Sequence, residues 1–259
     1  MERPKIICLD EIDSTNRFLH DYVGAEPVVV ATARHQTAGR GQGGNHWEDR
    51  ADANLLFSIL IHPEMVPVDR QFVVAMADAL ALREALAAYT DDLLLKWPND
   101  IYWHHRKLSG TLIETALSGG RLRRMIIGTG VNINQHHFCS DAPNPVSLCQ
   151  IVGHEVPVSE VLDRVLTAFG RYYDRVVGGD YETISREYHA ALYRRSGLWP
   201  YRDSVGYFRA VTVGILPDGH LQLRDTDGRL RQYGFREVSF VLDDNNNNHQ
   251  INDNDNGKI

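Results

Sequence analysis

The chain has 259 residues, of which 43% are apolar, enough to bury a sizeable core in one main domain and a second, small one. Its formal charge of −7 at pH 7 argues against a nucleic-acid-binding surface as the main function. The sequence contains no apolar stretch of the signal-peptide or membrane-spanning type, so we expect neither secretion nor membrane insertion. Its three cysteines have no CxxC spacing and are typical of a reducing cytoplasm.

The first predicted strand covers residues 5–9, and a polar run follows it. In this run, Ser14 or Thr15 can cap a short helix through its hydroxyl group, and spacing alone favours that interpretation. The alternative is that the side chains of Ser14, Thr15 and Asn16 form hydrogen bonds to a polar ligand. The residues leave both interpretations open.

The most informative stretch is residues 35–47, between predicted buried strands at 28–31 and 55–61. It is rich in glycine, so its backbone amides can approach an anion closely, and Arg40 adds a fixed positive charge. The glycine spacing matches GxGxxG, but a dinucleotide site also requires an apolar helix directly after the glycines. The residues that follow are polar and turn-like, so we interpret the stretch as an anion-binding loop.

Residues 69–89 carry apolar side chains at helical spacing and are predicted to form a core helix. A strand at 93–95 then leads into Lys96-Trp97-Pro98-Asn99-Asp100. Proline interrupts the hydrogen bonds of a sheet, so these charged residues should lie at a strand end, where sites are often built.

A hairpin is predicted next, with arms at 106–114 and 125–134 and a turn at Ser118-Gly119-Gly120. Asn132 and Asn134 are two residues apart in the second arm, so we expect them on the same face of a strand. Such an amide pair can recognise the edge of a heterocycle, or the asparagines can simply end the strand in a turn. The sequence does not decide between these roles.

In the C-terminal half, helices are predicted at 159–177, capped by Ser159, and at 181–194. Residues 205–242 then carry short β segments with Asp-Gly turns and are expected to form a small barrel of hairpins. The last residues are rich in Asn and Asp, and we expect them to be disordered. These changes predict a main domain over 1–199, a barrel over 200–242 and a disordered tail over 243–259.

The charged residues of these segments suit the chemistry of anions. Arg40, Lys96 and Lys107 supply cations, and Asp100 supplies a carboxylate. Cations beside a glycine-rich loop would favour the joining of two anions, such as the attack of a carboxylate on the α-phosphate of a nucleotide. A Mg²⁺ ion on Asp100 would screen the same repulsion. Solvated charges at the edge of a sheet are the alternative, and spacing does not exclude it.

Taken together and in this order, the motifs resemble those of biotin–protein ligases over residues 5–242. The matching segments are Ser14-Thr15-Asn16, Gln36-x-Ala-Gly-Arg-Gly-x5-Trp47, Lys96-Trp-Pro-Asn-Asp100, Arg106-Lys-Leu-Ser-Gly110, Gly128-Thr-Gly-Val-Asn-Ile-Asn134 and Tyr233-Gly-Phe-Arg-Glu-Val-Ser-Phe240. The resemblance is to the monofunctional type, which lacks the N-terminal DNA-binding domain, so operator binding is not expected.

The resemblance implies an α+β catalytic domain related to class II aminoacyl-tRNA synthetases, with a mostly antiparallel sheet, followed by an SH3-like barrel. It implies a cytoplasmic enzyme that uses MgATP to activate biotin to biotinyl-adenylate. The biotin is then transferred to one lysine of a biotin carboxyl carrier protein or domain. Neither nucleic acid nor a membrane is expected as a partner, and the formation of a homodimer is left open.

The resemblance also assigns roles to residues. The implied catalytic residues are Arg40, Lys107 and Asp100, with Asp100 supporting Mg²⁺ or the incoming lysine. The implied biotin-binding residues are Ser14, Thr15, Asn16, Gln36, Gly39, Arg40, Lys107 and Gly110. The implied residues for ATP or the adenylate are Arg40, Trp47, Asn99, Lys107 and Asn132.

One departure from the family pattern concerns the glycine-rich loop. The family loop commonly carries a second basic residue shortly after the first, and Gln42 and Gly43 occupy those places here. We therefore expect this loop to retain an adenylate less firmly.

Two other functions compete with biotin ligation. A lipoate–protein ligase shares the fold and the adenylation chemistry, but the Gly-Arg-Gly loop and the C-terminal barrel favour biotin. A non-catalytic biotin-binding sensor would have no need of phosphoryl chemistry, and the intact set of Arg40, Asp100 and Lys107 argues against it.

Overall fold

The computed structural model of the protein describes residues 3–139 and 144–241. A seven-stranded sheet forms its larger part, with strands β1 (Lys5–Ile12), β2 (Val28–Gln36), β3 (Leu55–Ile61), β4 (Leu93–Lys96), β5 (Asp100–Trp103), β6 (Arg106–Ser118) and β7 (Arg121–Val131). The helices are α1 (Thr15–His20), α2 (Phe72–Leu86), α3 (Leu148–Val152), α4 (Val158–Val177) and α5 (Tyr181–Ala190). A smaller sheet of five strands contains β8 (Trp199–Arg202), β9 (Tyr207–Ile215), β10 (Leu221–Asp225), β11 (Leu230–Tyr233) and β12 (Ser239–Phe240).

The larger sheet has the strand order β1-β2-β3-β7-β6-β5-β4. Only the β1–β2 pair is parallel among these strands, which confirms the expectation of a mostly antiparallel sheet. Strand β3 is buried at every position: it lies inside the sheet between β2 and β7, and helices α1 and α4 contact it. This order places the glycine-rich loop, which follows β2, near the predicted hairpin of β6 and β7.

The core lies between the larger sheet and the helices α2, α4 and α5. Helix α2 is apolar on most sides because it packs on α4, α5 and the strands at once. Phe57 of β3, Leu82 of α2 and Phe169 of α4 are fully buried in this core. The helix predicted at 69–89 is therefore confirmed, although its α-helical part is shorter.

Two further helix boundaries differ from the sequence prediction. Helix α4 begins at Val158 after Pro157, so Ser159 lies inside the first turn and does not cap the helix. Helix α5 ends at Ala190 and does not continue to 194. The reason is tertiary pairing: the Leu95 amide donates to the Ala191 carbonyl at 2.9 Å, and the Tyr193 amide donates to the Leu95 carbonyl at 2.9 Å. These bonds take up backbone groups that a longer helix would need.

The smaller sheet is antiparallel, with the order β11-β10-β9-β8-β12. It begins at Trp199, before the hairpins predicted from 205. Several hydrogen bonds join it to the larger part, and two of them involve the turn before β10 and the end of β9. The indole of Trp97 donates to the carbonyl of Gly219 at 2.9 Å, and the amide of Ile215 donates to Nε2 of His189 at 2.7 Å. The smaller sheet therefore sits beside the β4–β5 turn.

The Asn- and Asp-rich tail predicted over 243–259 lies outside the described residues. Of the helices that the structure describes, none is both long enough and apolar enough to cross a membrane. The predicted domain boundary between residues 199 and 200 stays a prediction.

We predict that Leu82→Ala lowers the free energy of unfolding by about 2–5 kcal/mol, because it leaves a cavity at a fully buried position of α2. Urea unfolding followed by circular dichroism measures this loss. Leu117→Ala is the matched control, since Leu117 is 55% exposed at the end of the β6–β7 hairpin. The control should stay within about 0.5 kcal/mol of the natural protein. Equal losses in both variants would contradict the central position of α2.

Candidate active site

A cleft of about 1050 Å³ opens between the glycine-rich loop, the end of the larger sheet and the rim of the smaller one. Most residues that the sequence predicted for a site line this cleft. They are Ser14, Thr15, Asn16, Gln36, Arg40, Trp47, Asn99, Asp100, Lys107, Gly110 and Asn132. Gly39 does not line it; its carbonyl accepts a hydrogen bond from the amide of Trp47 at 3.0 Å and closes the base of the loop.

The glycine-rich loop folds back on itself like a small hairpin. Besides the bond at its base, the amide of Gly41 donates to the carbonyl of Asn45 at 2.7 Å, and a short 3-10 turn covers Gln42–Gly44. Residues 48–54 then lead into β3 without a helix. The interpretation as an anion-binding loop, rather than a dinucleotide site, agrees with this geometry.

Glycines of β6 and β7 form the floor of the cleft. The indole ring of Trp47 lies so close to Gly130 that a Cβ atom there would overlap it, and a Cβ on Gly110 would lie 3.1 Å from Trp47 Cζ3. On Gly128, a Cβ would overlap Oδ1 of Asn16. Glycine is thus required where side chains approach the strand backbone. Trp47 Nε1 is buried and has no hydrogen-bond partner among the described residues.

One end of the cleft is lined by neutral polar side chains near the start of α1. Oε1 of Gln36 accepts from the amide of Thr15 at 2.7 Å. The hydroxyl oxygen of Ser58 lies 2.7 Å from Thr15 Oγ1 and 2.6 Å from Asn16 Oδ1. The side-chain nitrogen Nδ2 of Asn16 donates to Oε2 of Glu114 at 2.8 Å. These bonds fix the orientation of side chains at the cleft wall.

The capping interpretation of this segment is wrong for its side chains. Ser14 occupies the N-cap position of α1, but its hydroxyl makes no capping hydrogen bond. Thr15 is the first residue of the helix and forms its hydrogen bonds with Gln36 and Ser58 instead. Both side chains therefore face the cleft.

Charged groups occupy the other end. Oδ1 of Asp100 lies 2.7 Å from Lys107 Nζ, and Oδ2 lies 3.6 Å from Lys96 Nζ. The tight β4–β5 hairpin creates this cluster because it pairs Lys96 directly with Asp100. Burial lowers the pKa of Lys96, and the carboxylate of Asp100 opposes that shift. Two ammonium groups with one carboxylate leave a positive charge, which suits an anionic ligand.

Arg40 brings a third cation to the cleft from the loop. Its guanidinium lies 3.4 Å from Glu114 Oε1, and its side chain is about half exposed. Lys107 Nζ lies 5.8 Å from the centre of the Trp47 indole ring. The cations therefore flank the glycine floor.

The two asparagines near the end of β7 have different positions. The strand ends at Val131, so Asn132 and Asn134 do not share a strand face as predicted. Asn132 lines the cleft, and its side-chain nitrogen Nδ2 donates to the carbonyl of Val146 at 3.1 Å. Asn134 instead bonds both backbone groups of Val156 at 2.9 Å. Only Asn132 belongs to the site, and Asn134 is a turn residue.

Asn99 lines the cleft while it also holds the backbone in place. Its side-chain nitrogen donates to the carbonyl of Thr111, and the amide of Thr111 donates to the carbonyl of Asn99 at 2.9 Å. The β4–β5 turn is thereby tied to β6.

Comparisons with known proteins decide the family. Residues 9–132 match the sequence profile of the Biotin/lipoate A/B protein ligase family. The biotin--[acetyl-CoA-carboxylase] ligase of Paracoccus denitrificans is 31% identical over 231 residues, which are 85% of this chain and 95% of that protein. The chain belongs to the biotin protein ligase family. The bifunctional ligase/repressor BirA of Bacillus subtilis is 26% identical over 239 residues, 88% of this chain and 72% of that protein.

Solved structures show the same fold. The biotin protein ligase from Aquifex aeolicus in complex with biotin and ATP superposes with a TM-score of 0.77 and 26% identity, over 92% of this chain and 98% of that chain. The ligase from Leishmania major in complex with biotinyl-5-AMP has a TM-score of 0.59 and 24% identity, over 90% and 99% of the two chains. This protein thus has the biotin ligase catalytic fold, a mixed sheet followed by a second, antiparallel sheet.

Several residues of this ligase site were not predicted from the sequence. Ser58 stands alone as a polar residue in the buried strand β3, a signal that could have revealed it. The alternating glycines at 128 and 130 are a second such signal, because glycine inside a strand often marks a close approach. Glu114 gave no local signal, and the residues of the smaller sheet stand in a matching segment to which no site role was assigned. Those from the smaller sheet that line the cleft are Arg236, Val238, Ser239 and Phe240.

The site does not fit a resident magnesium ion. Both oxygens of Asp100 face lysine ammonium groups, which leaves the carboxylate engaged as their counter-ion. Within residues 3–139 and 144–241, no three His, Cys, Asp or Glu side chains converge as a metal-binding group.

A buried carboxyl group lies beneath the floor of the cleft. Asp78 of α2 is 1% exposed, and its Oδ2 lies 3.4 Å from the hydroxyl of Thr111. That hydroxyl lies 3.0 Å from Thr129 Oγ1, while Asp78 Oδ1 has no partner in the described part of the chain. Burial raises the pKa of Asp78 from 3.8 to about 7. Between pH 3.8 and about 7, the native state therefore keeps a proton that the unfolded chain has already lost.

We predict that Asp78→Asn removes this pH dependence. As the pH rises from 3.8 to about 7, the natural protein should lose stability relative to the variant, because only its unfolded state releases the proton freely. The difference should reach at most about 4 kcal/mol near neutral pH. Urea unfolding of both proteins across this range measures it, and Asp91→Asn, at an exposed position, serves as the control. A difference that stays constant with pH would show that Asp78 does not titrate in this way.

Proposed function

We propose that the protein is an ATP-dependent ligase that activates biotin to biotinyl-adenylate and transfers the biotin to a lysine of a biotin carboxyl carrier domain. The observation that carries the proposal is one cleft with a neutral polar end, a glycine floor and a positively charged end beside an anion-binding loop. The 31% identical relative is named a biotin--[acetyl-CoA-carboxylase] ligase, and the Aquifex ligase structure is described as a complex with biotin and ATP.

In the first step, the biotin carboxylate attacks the α-phosphorus of ATP. A carboxylate oxygen–phosphorus bond forms, the bond to the bridging oxygen breaks, and pyrophosphate leaves. Both reactants are anions, so their approach requires positive charge at the point of contact. We assign this role to Lys107, supported by Arg40 from the loop. Lys107 is oriented by its 2.7 Å ion pair with Asp100.

We assign the biotin ring system to the neutral polar end. The ureido group of biotin has two N–H donors and one carbonyl acceptor, which match a wall built from Ser14, Thr15, Asn16 and Gln36. The indole of Trp47 over Gly110 and Gly130 supplies an apolar surface beside them. The carboxylate would then point towards the lysines.

The nucleotide would occupy the space between the loop and the end of β7. Gly39 shapes the base of the loop, Asn99 belongs to the wall near Lys107, and Asn132 lies where the base could meet an amide. Trp47 Nε1, a buried donor without a partner in the described structure, is available to an acceptor of the adenylate.

In the second step, the acceptor lysine attacks the carbonyl carbon of biotinyl-adenylate. The lysine attacks as the neutral amine, after its ammonium group has given a proton to water. An amide bond forms, the bond between the acyl carbon and the phosphate oxygen breaks, AMP leaves, and the nitrogen releases a second proton to water. The carboxylate of Asp100 would attract the incoming ammonium group, since it is the anion at this end of the cleft. The ion pairs of Asp100 with Lys96 and Lys107 would rearrange when AMP leaves and takes its negatively charged phosphate with it.

Several finer features belong to the same proposal. We propose that residues 1–199 form a catalytic domain related to class II aminoacyl-tRNA synthetases and that residues 200–242 form an SH3-like barrel. Magnesium would enter as MgATP, with phosphates and water as its main ligands. The cysteines that the structure describes are free thiols, which fits a reducing cytoplasm.

Incubation with ATP, an apo carrier protein and either radiolabelled biotin or radiolabelled lipoate tests the function. Label from biotin should appear on the carrier lysine, and label from lipoate should not. Transfer of lipoate would favour the lipoate–protein ligase. Binding of biotin without pyrophosphate release or transfer would favour the non-catalytic sensor.

We predict that Lys107→Ala lowers the rate of adenylation at least about 100-fold, because it removes a charge that is most needed in the transition state. Pyrophosphate release with biotin and ATP measures the rate, and circular dichroism checks the fold. Lys5→Ala is the control, since Lys5 lies on β1, outside the residues that line the cleft. Normal pyrophosphate release by Lys107→Ala would refute the assignment of Lys107.

A further inference from the structure

An arginine of the smaller sheet reaches the glycine-rich loop. Arg236 lies between β11 and β12, and its Nη2 donates a hydrogen bond to the carbonyl of Gly43 at 2.8 Å. The two residues are 193 positions apart in the chain. Arg236 also lines the cleft, so this bond connects the smaller sheet with the loop at the mouth of the site.

Any side chain at position 43 would be unfavourable in this arrangement. Its φ angle of +72° is in the left-handed region, where other residues are strained. A Cβ atom on Gly43 would also lie 2.5 Å from Cζ and 2.6 Å from Nε of Arg236. Without a side chain at 43, the guanidinium can rest directly on the loop backbone.

The backbone of Arg236 is itself held in an unusual conformation. Its φ angle is +73°, which is uncommon for a residue other than glycine and persists only where the surroundings enforce it. The preceding residue provides that support. The ring of Phe235 lies 5.5 Å from that of Trp97 and 6.2 Å from that of Phe72, centre to centre. The packing of Phe235 on Trp97 and Phe72 therefore fixes the turn that positions Arg236 against the glycine-rich loop.

The contact changes the charge of the loop region. In the sequence from Gly39 to Trp47, Arg40 is the single Lys or Arg residue, and it faces Glu114 at 3.4 Å. Arg236 adds a second permanent cation without belonging to the loop. A guanidinium has five N–H donors, so the bond to Gly43 leaves others for an anion in the cleft.

We propose that Arg236 is a positioning residue of the ligase, which holds the glycine-rich loop over the acyl-adenylate and supplies its second positive charge. This inference rests on the proposed function. The sequence analysis expected loose retention because Gln42 and Gly43 replace a basic residue; here the charge comes from the smaller sheet. Retention of the intermediate then depends on the docking of that sheet as well as on the loop.

The test compares Arg236→Gln with the natural protein. Labelled biotinyl-adenylate is formed on each enzyme, and its dissociation is followed by filtration after dilution. We expect dissociation about three- to tenfold faster in Arg236→Gln than in the natural protein. Arg224→Gln, which removes an equal charge from an exposed position of β10, should dissociate at the natural rate.

A rescue separates the positioning role from a general loss of structure. Gln42→Arg in the Arg236→Gln background should restore slow dissociation, because it returns a cation to the loop. Position 43 is unsuitable for this purpose because of its positive φ angle. Amide hydrogen exchange of residues 41–46 gives a second readout, and it should be faster in Arg236→Gln than in Arg224→Gln, with or without adenylate.

The outcomes separate this inference from the function on which it rests. Dissociation and loop exchange at natural rates in Arg236→Gln, while adenylate forms normally, would overturn the role of Arg236 alone. Equal acceleration by Arg224→Gln would also overturn it, because the effect would then be one of total charge. If the natural protein forms no adenylate from biotin and ATP, the proposed function fails and the role of Arg236 in retention fails with it.

Discussion

The site depends on the close approach of side chains to the backbone of β7. Trp47 and Asn16 lie against Gly130 and Gly128, at positions where a single Cβ atom would collide with them. This approach requires the central sheet to be rigid, and the burial of β3 at every position supplies that rigidity. The loop and the first helix can therefore converge on one strand. A methyl group on either glycine would push an element of the site outward.

The electrostatics follow from the same convergence. A short hairpin pairs Lys96 with Asp100, and the neighbouring strand adds Lys107. The single carboxylate keeps two ammonium groups close together, although burial opposes the charge of Lys96. Such a cluster retains positive charge that an anionic substrate can neutralise. The opposite end of the cleft is neutral and bonded internally, so the two ends present different chemistry to one elongated ligand.

The smaller sheet is part of the site as well as a neighbour of it. Phe235 packs on Trp97, Trp97 donates to Gly219, and Arg236 reaches the loop. Lys96 lies 4.9 Å from the ring centre of Phe240, so the charged cluster also contacts this sheet. The contacts that dock the sheet are thus close to those that would bind the substrate. Under our proposal, mutations far from the reacting atoms can change how long the intermediate stays bound.

The local sequence determined those elements that a short run of residues specifies by its own pattern. These are the strands, the β6–β7 hairpin, the glycine-rich loop and the charged run after β4, and the order of motifs determined the family. Most of the site residues that it predicted line the cleft, because each stands in a short motif at a strand end. Tertiary structure alone decided the rest. Backbone pairing with β4 ended α5 early, the end of β7 at Val131 separated Asn132 from Asn134, and docking of the smaller sheet brought Arg236 to Gly43. Such contacts join residues that are distant in the chain. Hydrophobic periodicity and secondary-structure propensity do not predict them, because both depend only on residues that are near each other in the sequence.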